Sequence, residues 1–196
     1  MDSNCKNPTR HTLERAKYHV SKMKEAFQDD GEFSFNLDGF LEAAREVPWH
    51  MKKQYDKEPG FNQWYDEKVA EMQKMPMLRF TIKARNYSTK EGPVPVGATC
   101  EISLSTNATI VANGLKTNTN VCVVPTENGE NGLKASGKSR IETVNRWFRD
   151  VGLYMDKGDK CHVPQIEKGS VLETCENILK YLDELVEECE KEFASC

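Results

Sequence analysis

The sequence predicts a mainly α-helical fold, a single-domain helical bundle that carries a small antiparallel β insertion. Apolar residues recur at spacings of three and four through residues 9–92, as on a helix with one buried face. The same spacing returns over residues 170–194. Within an insertion at about 96–165, apolar and polar residues alternate over 100–105, which is the period of a half-buried strand. We therefore expect one domain over residues 1–196, its bundle interrupted by the insertion.

The first two predicted helices are separated by an acidic turn. The first covers about residues 9–29 and is stopped by Asp29-Asp30-Gly31. The second begins near Ser34 or Asn36, because either side chain can accept a hydrogen bond from a backbone N–H at a helix start. Pro48 lies inside this helix and is expected to kink it, since proline removes one helical hydrogen bond.

The next two helices are short and are bounded by proline and glycine. The third spans about Phe61 to Lys74, and the fourth begins at Pro76, where the missing N–H of proline is harmless. The tripeptide Glu91-Gly92-Pro93 ends the fourth helix. Its buried stripe is predicted from the spacing of Met77, Phe80, Ala84 and Tyr87.

The insertion is predicted to contain a small antiparallel hairpin or meander. Strands are expected at residues 100–105, 109–111 and 121–124. Residues 126–139 are rich in Gly, Asn, Ser and Lys and are expected to form a flexible loop. The pattern of residues 140–150 fits a helix or a strand and does not decide between them.

The last helix is predicted from a capping signal followed by three heptads of apolar spacing. Ser170-Val-Leu-Glu173 fits a capping box, in which the serine accepts from a backbone N–H and the glutamate reaches back to the serine N–H. A narrow apolar stripe can form a coiled-coil seam, but Ile178, Tyr181 and Leu185 widen this one, so packing into a bundle is expected. The stripe consists of Leu172, Cys175, Leu179, Leu182, Val186, Cys189 and Phe193.

Composition predicts a cytoplasmic protein without a cofactor or a metal. The chain starts Met-Asp-Ser-Asn-Cys-Lys, with no basic segment followed by an apolar one, and no apolar run reaches the roughly 18–20 residues of a membrane span. Seven cysteines without a CxxC pair predict reduced thiols, with Cys175 and Cys189 as small buried apolar residues. Cys161-His162 is the only adjacent Cys-His pair, whereas a zinc site needs about four well-spaced ligands.

Charge is distributed unevenly along the chain. The net charge is −4, so the molecule as a whole does not attract nucleic acid. Residues 134–149 nevertheless carry five positive side chains and one negative one, and residues 170–196 carry eight acidic residues and two lysines. Two interpretations stay open: one locally basic and one acidic face, or a solvated loop beside a solvated helix face.

A short polar motif lies near the end of the fourth predicted helix. Arg85-Asn86 is followed, five residues after the arginine, by Lys90 and then Glu91-Gly92. The preceding segments are Phe40-Leu-Glu-Ala-Ala-Arg45, Pro59-Gly-Phe-Asn-Gln-Trp-Tyr65 and Leu78-Arg-Phe. Together these segments resemble a group of uncharacterised prokaryotic proteins whose helix ends Arg-Asn-x-x-x-His-Glu-Gly. That pattern is similar to the HEPN (higher eukaryotes and prokaryotes nucleotide-binding) superfamily of helical bundles.

The resemblance implies metal-independent RNA cleavage at a composite site across a homodimer. In such a site a base takes the proton of a ribose 2′-OH, which then attacks the adjacent phosphate. Arginine stabilises the phosphate charge through its two-pronged donor, and the polar residue after it orients the base or the phosphate. Arg85 and Asn86 match these positions, and both would contact RNA or another phosphate-bearing ligand.

Lys90 stands where the family has histidine. Histidine suits proton transfer near neutral pH, whereas a free lysine titrates near about 10.4 and is a poor base. Arg85, Asn86 and Lys90 are therefore predicted to bind a phosphate-bearing ligand or RNA without efficient cleavage. A purely structural role stays open, since an arginine near a helix C-terminus meets the negative end of the dipole. A protein-interaction module and an active endoribonuclease that uses another base stay open as well.

Overall fold

The computed structural model describes residues 7–104, 109–112, 133–136, 139–149 and 169–194. The described residues are mainly helical, with a small antiparallel sheet, which confirms the predicted fold class. The helices are α1 (Pro8–Glu25), α2 (Asp30–Tyr55), α3 (Phe61–Lys74), α4 (Pro76–Lys90) and α5 (Val171–Phe193). The strands are β1 (Val96–Leu104), β2 (Thr109–Ala112), β3 (Leu133–Ser136) and β4 (Ser139–Phe148).

The chain divides into two compact units, one within residues 1–98 and 145–196 and the other within residues 99–144. The first unit contains the five helices. In it α2 is the central element, since it packs against α1, α3, α4 and α5. The second unit contains β2 and β3, which pair antiparallel with Thr109 opposite Ser136 and Ala112 opposite Leu133. Strand β1 pairs with β4.

The core of the helical unit comes from one face of each helix, as the apolar spacing predicts. On α5 the buried face is broad, because Ile178 and Leu185 are buried beside Cys175 and Leu182. This breadth agrees with packing into a bundle. The largest fully buried side chains include Phe33, Phe40, Phe61, Phe80, Phe148, Leu13, Met23, Leu37, Leu41, Met51, Ile178 and Leu182.

The boundary between α1 and α2 differs from the prediction. Helix α1 ends at Glu25, and Asp29 caps α2 with its Oδ1 accepting from the N–H of Glu32 at 2.8 Å. The Asp-Asp-Gly segment therefore starts a helix, and Ser34 and Asn36 lie inside it. An aspartate is as good an N-cap as it is a helix breaker, and the spacing rule alone does not distinguish the two roles.

Helix α2 continues through Pro48 to Tyr55 as one helix. The carbonyl oxygen of Pro48 accepts a hydrogen bond from the hydroxyl of Tyr65 on α3 at 3.0 Å. The bounds predicted for α3 are confirmed, and Gly60 before it has a φ of 82°, a left-handed conformation that favours glycine. Pro76 is the first residue of α4, as predicted.

The β region corrects one prediction and completes another. Residues 133–136, predicted as loop, form β3, and residues 139–148, left undecided, form β4. The composition of residues 133–136 is poor in strand-forming side chains, so the pairing with β2 rather than local propensity makes the strand. The predicted strand at 121–124 lies outside the described residues.

The start of α5 lacks the predicted capping box. Ser170 occupies the N-cap position, but its side chain makes no capping hydrogen bond. Its backbone oxygen instead accepts from the hydroxyl of Thr174 at 2.9 Å. The Ser-x-x-Glu pattern thus locates the helix start correctly and gives the wrong side-chain contact there.

Two cysteines of α5 behave as buried apolar residues. Cys175 and Cys189 are free thiols with no exposed surface. Burial raises the pKa of the Cys175 thiol, and it raises the pKa of Cys189 to about 12. Both thiols therefore stay protonated at neutral pH, as the apolar spacing indicates.

Ion pairs connect α1 to the acidic helix α5. Arg10 pairs with Glu190, Lys17 with Asp183 at 3.0 Å and Lys24 with Glu176 at 2.6 Å. Part of the acidic surface predicted for the last helix is thus neutralised within the bundle. None of the helices in the described ranges combines the length and the apolar character that a membrane crossing requires.

Candidate functional site

Helix α4 carries four positive side chains and no negative one. Its sequence contains Arg79, Lys83, Arg85 and Lys90, in a chain whose net charge is −4. The cations therefore concentrate positive potential on one element of a negatively charged protein. All three sequence-predicted site residues, Arg85, Asn86 and Lys90, lie on this helix.

Helix α4 ends at Lys90, directly before Glu91-Gly92-Pro93 as predicted, and this sets the arrangement of the three residues. Because successive residues turn by about 100°, Asn86 and Lys90 lie about 40° apart on one face. Arg79 and Lys83 continue the same row toward the start of the helix. Arg85 lies about 140° around the axis from Lys90, so the two cations do not share a face.

Arg85 lies on the flank of α4 that faces α2. Ser88, one turn further along that flank, donates a hydrogen bond from its hydroxyl to Asp38 of α2 at 2.7 Å. The Arg85 side chain is half-buried, whereas Lys90 is exposed. The backbone oxygen of Arg85 accepts from the hydroxyl of Thr89 at 2.8 Å, which is a contact within the helix.

Arg85 and Lys90 form no ion pair with any residue in the described part of the chain. By contrast, Arg10, Arg15 and Arg146 each contact a carboxylate. Within the described ranges the Arg85 guanidinium is therefore not neutralised by its own subunit, and an external anion can be its partner.

The pair of Asp38 and Ser88 is a feature of the site that the motif does not predict. Burial raises the pKa of the Asp38 carboxyl, and the hydrogen bonds from Ser88 and from the backbone of Val94 act in the opposite direction. This carboxyl joins α2, the last turn of α4 and the chain that follows α4. The indication in the sequence that Asp38 is partly buried is its position directly after Leu37, a core residue of α2.

The described histidines lie away from the motif. The His19 ring packs against Gly39, and its Nδ1 lies 3.1 Å from Oδ1 of Asn36. His11, His19 and His50 have no hydrogen bond or ring contact with Arg85, Asn86 or Lys90, and His162 lies outside the described residues.

A metal centre finds no support in the described ranges. No three His, Cys, Asp or Glu side chains come together there in a group that could hold an ion. Helix α4 itself presents guanidinium, amide and ammonium groups. Such groups bind phosphate oxygens and carboxylates.

Comparison with known families gives one finding that bears on this site. Residues 3–128 match the family model described as bacteriophage lambda protein ea47, and the match includes the whole of α1 to α4 with Arg85, Asn86 and Lys90. Comparison with curated proteins and with solved structures gives no match. Since the match covers more than half of the chain, the protein belongs to the family of bacteriophage lambda protein ea47.

Proposed function

We propose that this protein binds RNA or another phosphate-bearing ligand through α4, as a HEPN-like homodimer that does not cleave RNA efficiently. The observation that carries the proposal is the charge of α4, four cations without an acidic residue in a chain of net charge −4. Arg85 supplies a two-pronged donor for one phosphate, and Asn86 and Lys90 supply further donors on a different face of the helix.

The arrangement favours binding over catalysis. RNA cleavage through the 2′-OH needs a base that can accept a proton near neutral pH. Lys90 stands where the HEPN-like motif has histidine, and no histidine of the described residues forms a hydrogen bond or ring contact with Arg85. Asp38 is a carboxylate on the same side of α4, but it already accepts hydrogen bonds from Ser88 and from the backbone of Val94.

The row of Arg79, Lys83, Asn86 and Lys90 spans almost the full length of α4. At about 1.5 Å per residue, the distance along the axis from Arg79 to Lys90 is about 16 Å. A row of this length can contact several successive phosphates of a single strand. The affinity is then expected to fall with salt, since each neutralised phosphate of a single strand contributes a slope of about −0.7 in log K against log salt.

A second candidate function is a protein-interaction module with no nucleic-acid role. It is favoured by the exposed apolar side chains Phe35, Trp49 and Ile82, which are 72%, 49% and 45% exposed. Large apolar side chains, and aromatic ones such as Phe35 and Trp49 above all, are typical contact residues of protein interfaces. The same side chains are also compatible with the homodimer in the first proposal.

The test is RNA binding measured by fluorescence anisotropy with a labelled 20-nucleotide single strand at several salt concentrations. We expect wild type to bind, and Arg85→Gln and Lys90→Gln each to weaken binding several-fold and to reduce the salt slope. Lys180→Gln is the matched control, because it removes one positive charge from an exposed position on α5. Circular dichroism checks that each variant is folded.

Three other outcomes would contradict this proposal, each in a different way. Equal weakening by Lys180→Gln would contradict a site on α4 and point to a general charge effect. No binding by wild type at low salt would reject the RNA proposal and favour the interaction module. RNA fragments with 2′,3′-cyclic phosphate ends, formed by wild type and not by Arg85→Gln, would show an active endoribonuclease instead.

A further inference from the structure

A second feature of the helical unit is a groove among α2, α3, α4 and α5, which shares Arg79 with the cationic row. Its volume is about 290 Å³. The floor includes Tyr65, Ile178 and Leu182, all of which are buried. Trp49 and Ile82 lie at its edge and are two of the five large apolar side chains that are most exposed in the described part of the chain.

The lining of this groove is apolar and positive. It contains two arginines, Arg45 of α2 and Arg79 of α4, and no acidic residue. Two lysines lie over its aromatic rings, with Nζ of Lys53 3.7 Å from the centre of the Trp49 ring and Nζ of Lys52 5.2 Å from the centre of the Tyr65 ring. In an acidic protein this combination of an apolar floor with cations at the rim is selective for a negatively charged occupant.

Arg45 is the cation best placed to meet such an occupant. Its side chain is exposed, and it forms no ion pair with any residue of the described ranges. An arginine on the adjacent helix, Arg15 of α1, instead binds Glu46, the residue directly after Arg45. Glu46, the acidic residue next to Arg45 in the sequence, therefore already has a cationic partner.

We propose that this groove binds a small amphipathic anion, an aromatic or branched aliphatic carboxylate. Its apolar body would contact Tyr65, Leu182 and Ile82, and its carboxylate would pair with Arg45. The volume of about 290 Å³ lies just below the roughly 300–1,000 Å³ that is usual for small-molecule sites. A groove of this size takes one ring system or a short branched chain, whereas a protein helix needs an extended surface.

The groove and the proposed RNA contact share Arg79 but can be tested through different residues. Arg85, Asn86 and Lys90 do not line the groove, and Arg45 lies on a different helix from all three. Loss of RNA binding in Arg85→Gln therefore says nothing about the groove. Failure of the groove proposal leaves the proposed function unchanged.

The test uses three probes of one shape and different charge: 2-naphthoate, neutral 2-naphthol and cationic 2-naphthylmethylammonium. Binding to the full-length protein is measured by isothermal titration calorimetry up to 1 mM probe. We expect 2-naphthoate to bind at least tenfold more tightly than the ammonium probe, with 2-naphthol between them. Binding of the neutral probe reports contact with the apolar floor, and the difference between the two charged probes reports the sign of the charge at the rim.

Variants then separate the two parts of the site. Arg45→Gln is expected to reduce the affinity for 2-naphthoate about tenfold and to leave 2-naphthol almost unchanged. Arg15→Gln, which removes the same charge on α1, is the matched control and should leave both affinities unchanged. Val69→Phe, which adds bulk to the lining, should reduce the affinity for both probes, with thermal unfolding as the check that the variant folds.

The proposal is overturned if 2-naphthoate gives no binding at 1 mM, or if all three probes bind equally. It is overturned as well if Arg45→Gln and Arg15→Gln have the same effect. Unchanged affinities in a folded Val69→Phe variant would place the bound probe somewhere other than this groove.

Discussion

The guanidinium of Arg146, on β4, is almost completely buried and lies 2.7 Å from the carboxylate of Asp30, whose side chain is 88% exposed. Nε of Arg146 donates to the backbone oxygen of Phe27 at 2.9 Å, and the guanidinium lies 4.6 Å from the centre of the Phe33 ring. One arginine therefore holds the turn between α1 and α2 from both sides. Arg146 therefore contributes nothing to a basic surface over residues 134–149, and both interpretations of the charge in that segment stay open.

Replacing Arg146 by lysine is expected to lower the free energy of unfolding by about 2 kcal/mol, the range of a lost hydrogen bond to a charged group. A lysine keeps the charge, but one ammonium group cannot reproduce the fork that meets both Phe27 and Asp30. Urea unfolding followed by circular dichroism measures the effect. Arg149→Lys is the control, because Arg149 is exposed, and a similar loss in both variants would show that Arg146 has no special role.

Gly39 is expected to be required by the close packing of α1 on α2. A Cβ added at Gly39 would lie 2.5 Å from an atom of the His19 ring, which is held by its contact with Asn36. Gly39→Ala should therefore lower the free energy of unfolding by about 1 kcal/mol, although alanine is the better helix former by a similar amount.

The control for this contact is the same change in a His19→Ala background. Without the ring, Gly39→Ala should raise the free energy of unfolding, because only the gain in helix propensity remains. The sign of the effect, measured by urea unfolding in the two backgrounds, is the decisive observation. The same sign in both backgrounds would contradict a steric role for His19.

The carboxyl of Asp38 is expected to make stability depend on pH. Burial raises its pKa in the folded state above the unfolded value of about 4, so the folded protein binds this proton more tightly than the unfolded chain does. The contribution of this group to stability is therefore complete below about pH 4 and is lost as pH rises through the folded pKa.

Asp38→Asn tests this dependence, because asparagine keeps an acceptor for the Ser88 hydroxyl and has no charge. The difference in free energy of unfolding between the variant and wild type should shift in favour of the variant as pH rises from 3 to 7. Denaturant unfolding at several pH values measures it. A difference that is constant over this range would show that Asp38 does not titrate differently in the folded and unfolded states.

The two N-caps of α2 and α5 should respond differently to truncation. Asp29→Ala is expected to cost about 1 kcal/mol, since the Asp29 side chain accepts from the N–H of Glu32. Ser170→Ala should cost less than about 0.5 kcal/mol, because the Ser170 side chain makes no capping hydrogen bond. Thermal unfolding compares the two variants, and equal losses would indicate that Ser170 does cap in solution.

The helices were predictable because their determinants are local. Proline, glycine and the apolar spacing delimit α3 and α4 to within a residue or two. The errors fall where a signal has two meanings or where the partner is distant. Asp29 can end one helix or begin the next, and residues 133–136 become a strand only by pairing with β2.

Arg85, Asn86 and Lys90 stay predicted site residues. The angle between Arg85 and Lys90 follows from the helix continuing to residue 90, as the predicted helix end at Glu91-Gly92-Pro93 implies. The contact between Ser88 and Asp38 joins residues 50 positions apart, so it depends on how α4 packs against α2. The HEPN-like homodimer and its ligand stay predictions.

The charges of α4 do not favour a helix. Its four positive side chains have no acidic residue on the same helix, so the helix lacks the internal pairs of opposite charge that stabilise an isolated helix. As an isolated peptide this segment would be a poor helix, and it owes its shape to core contacts such as that of Phe80 with Phe148. A bound polyanion would supply the opposite charges that α4 lacks. Binding of the polyanion should therefore appear as a higher melting temperature of the protein even where no reaction can be followed.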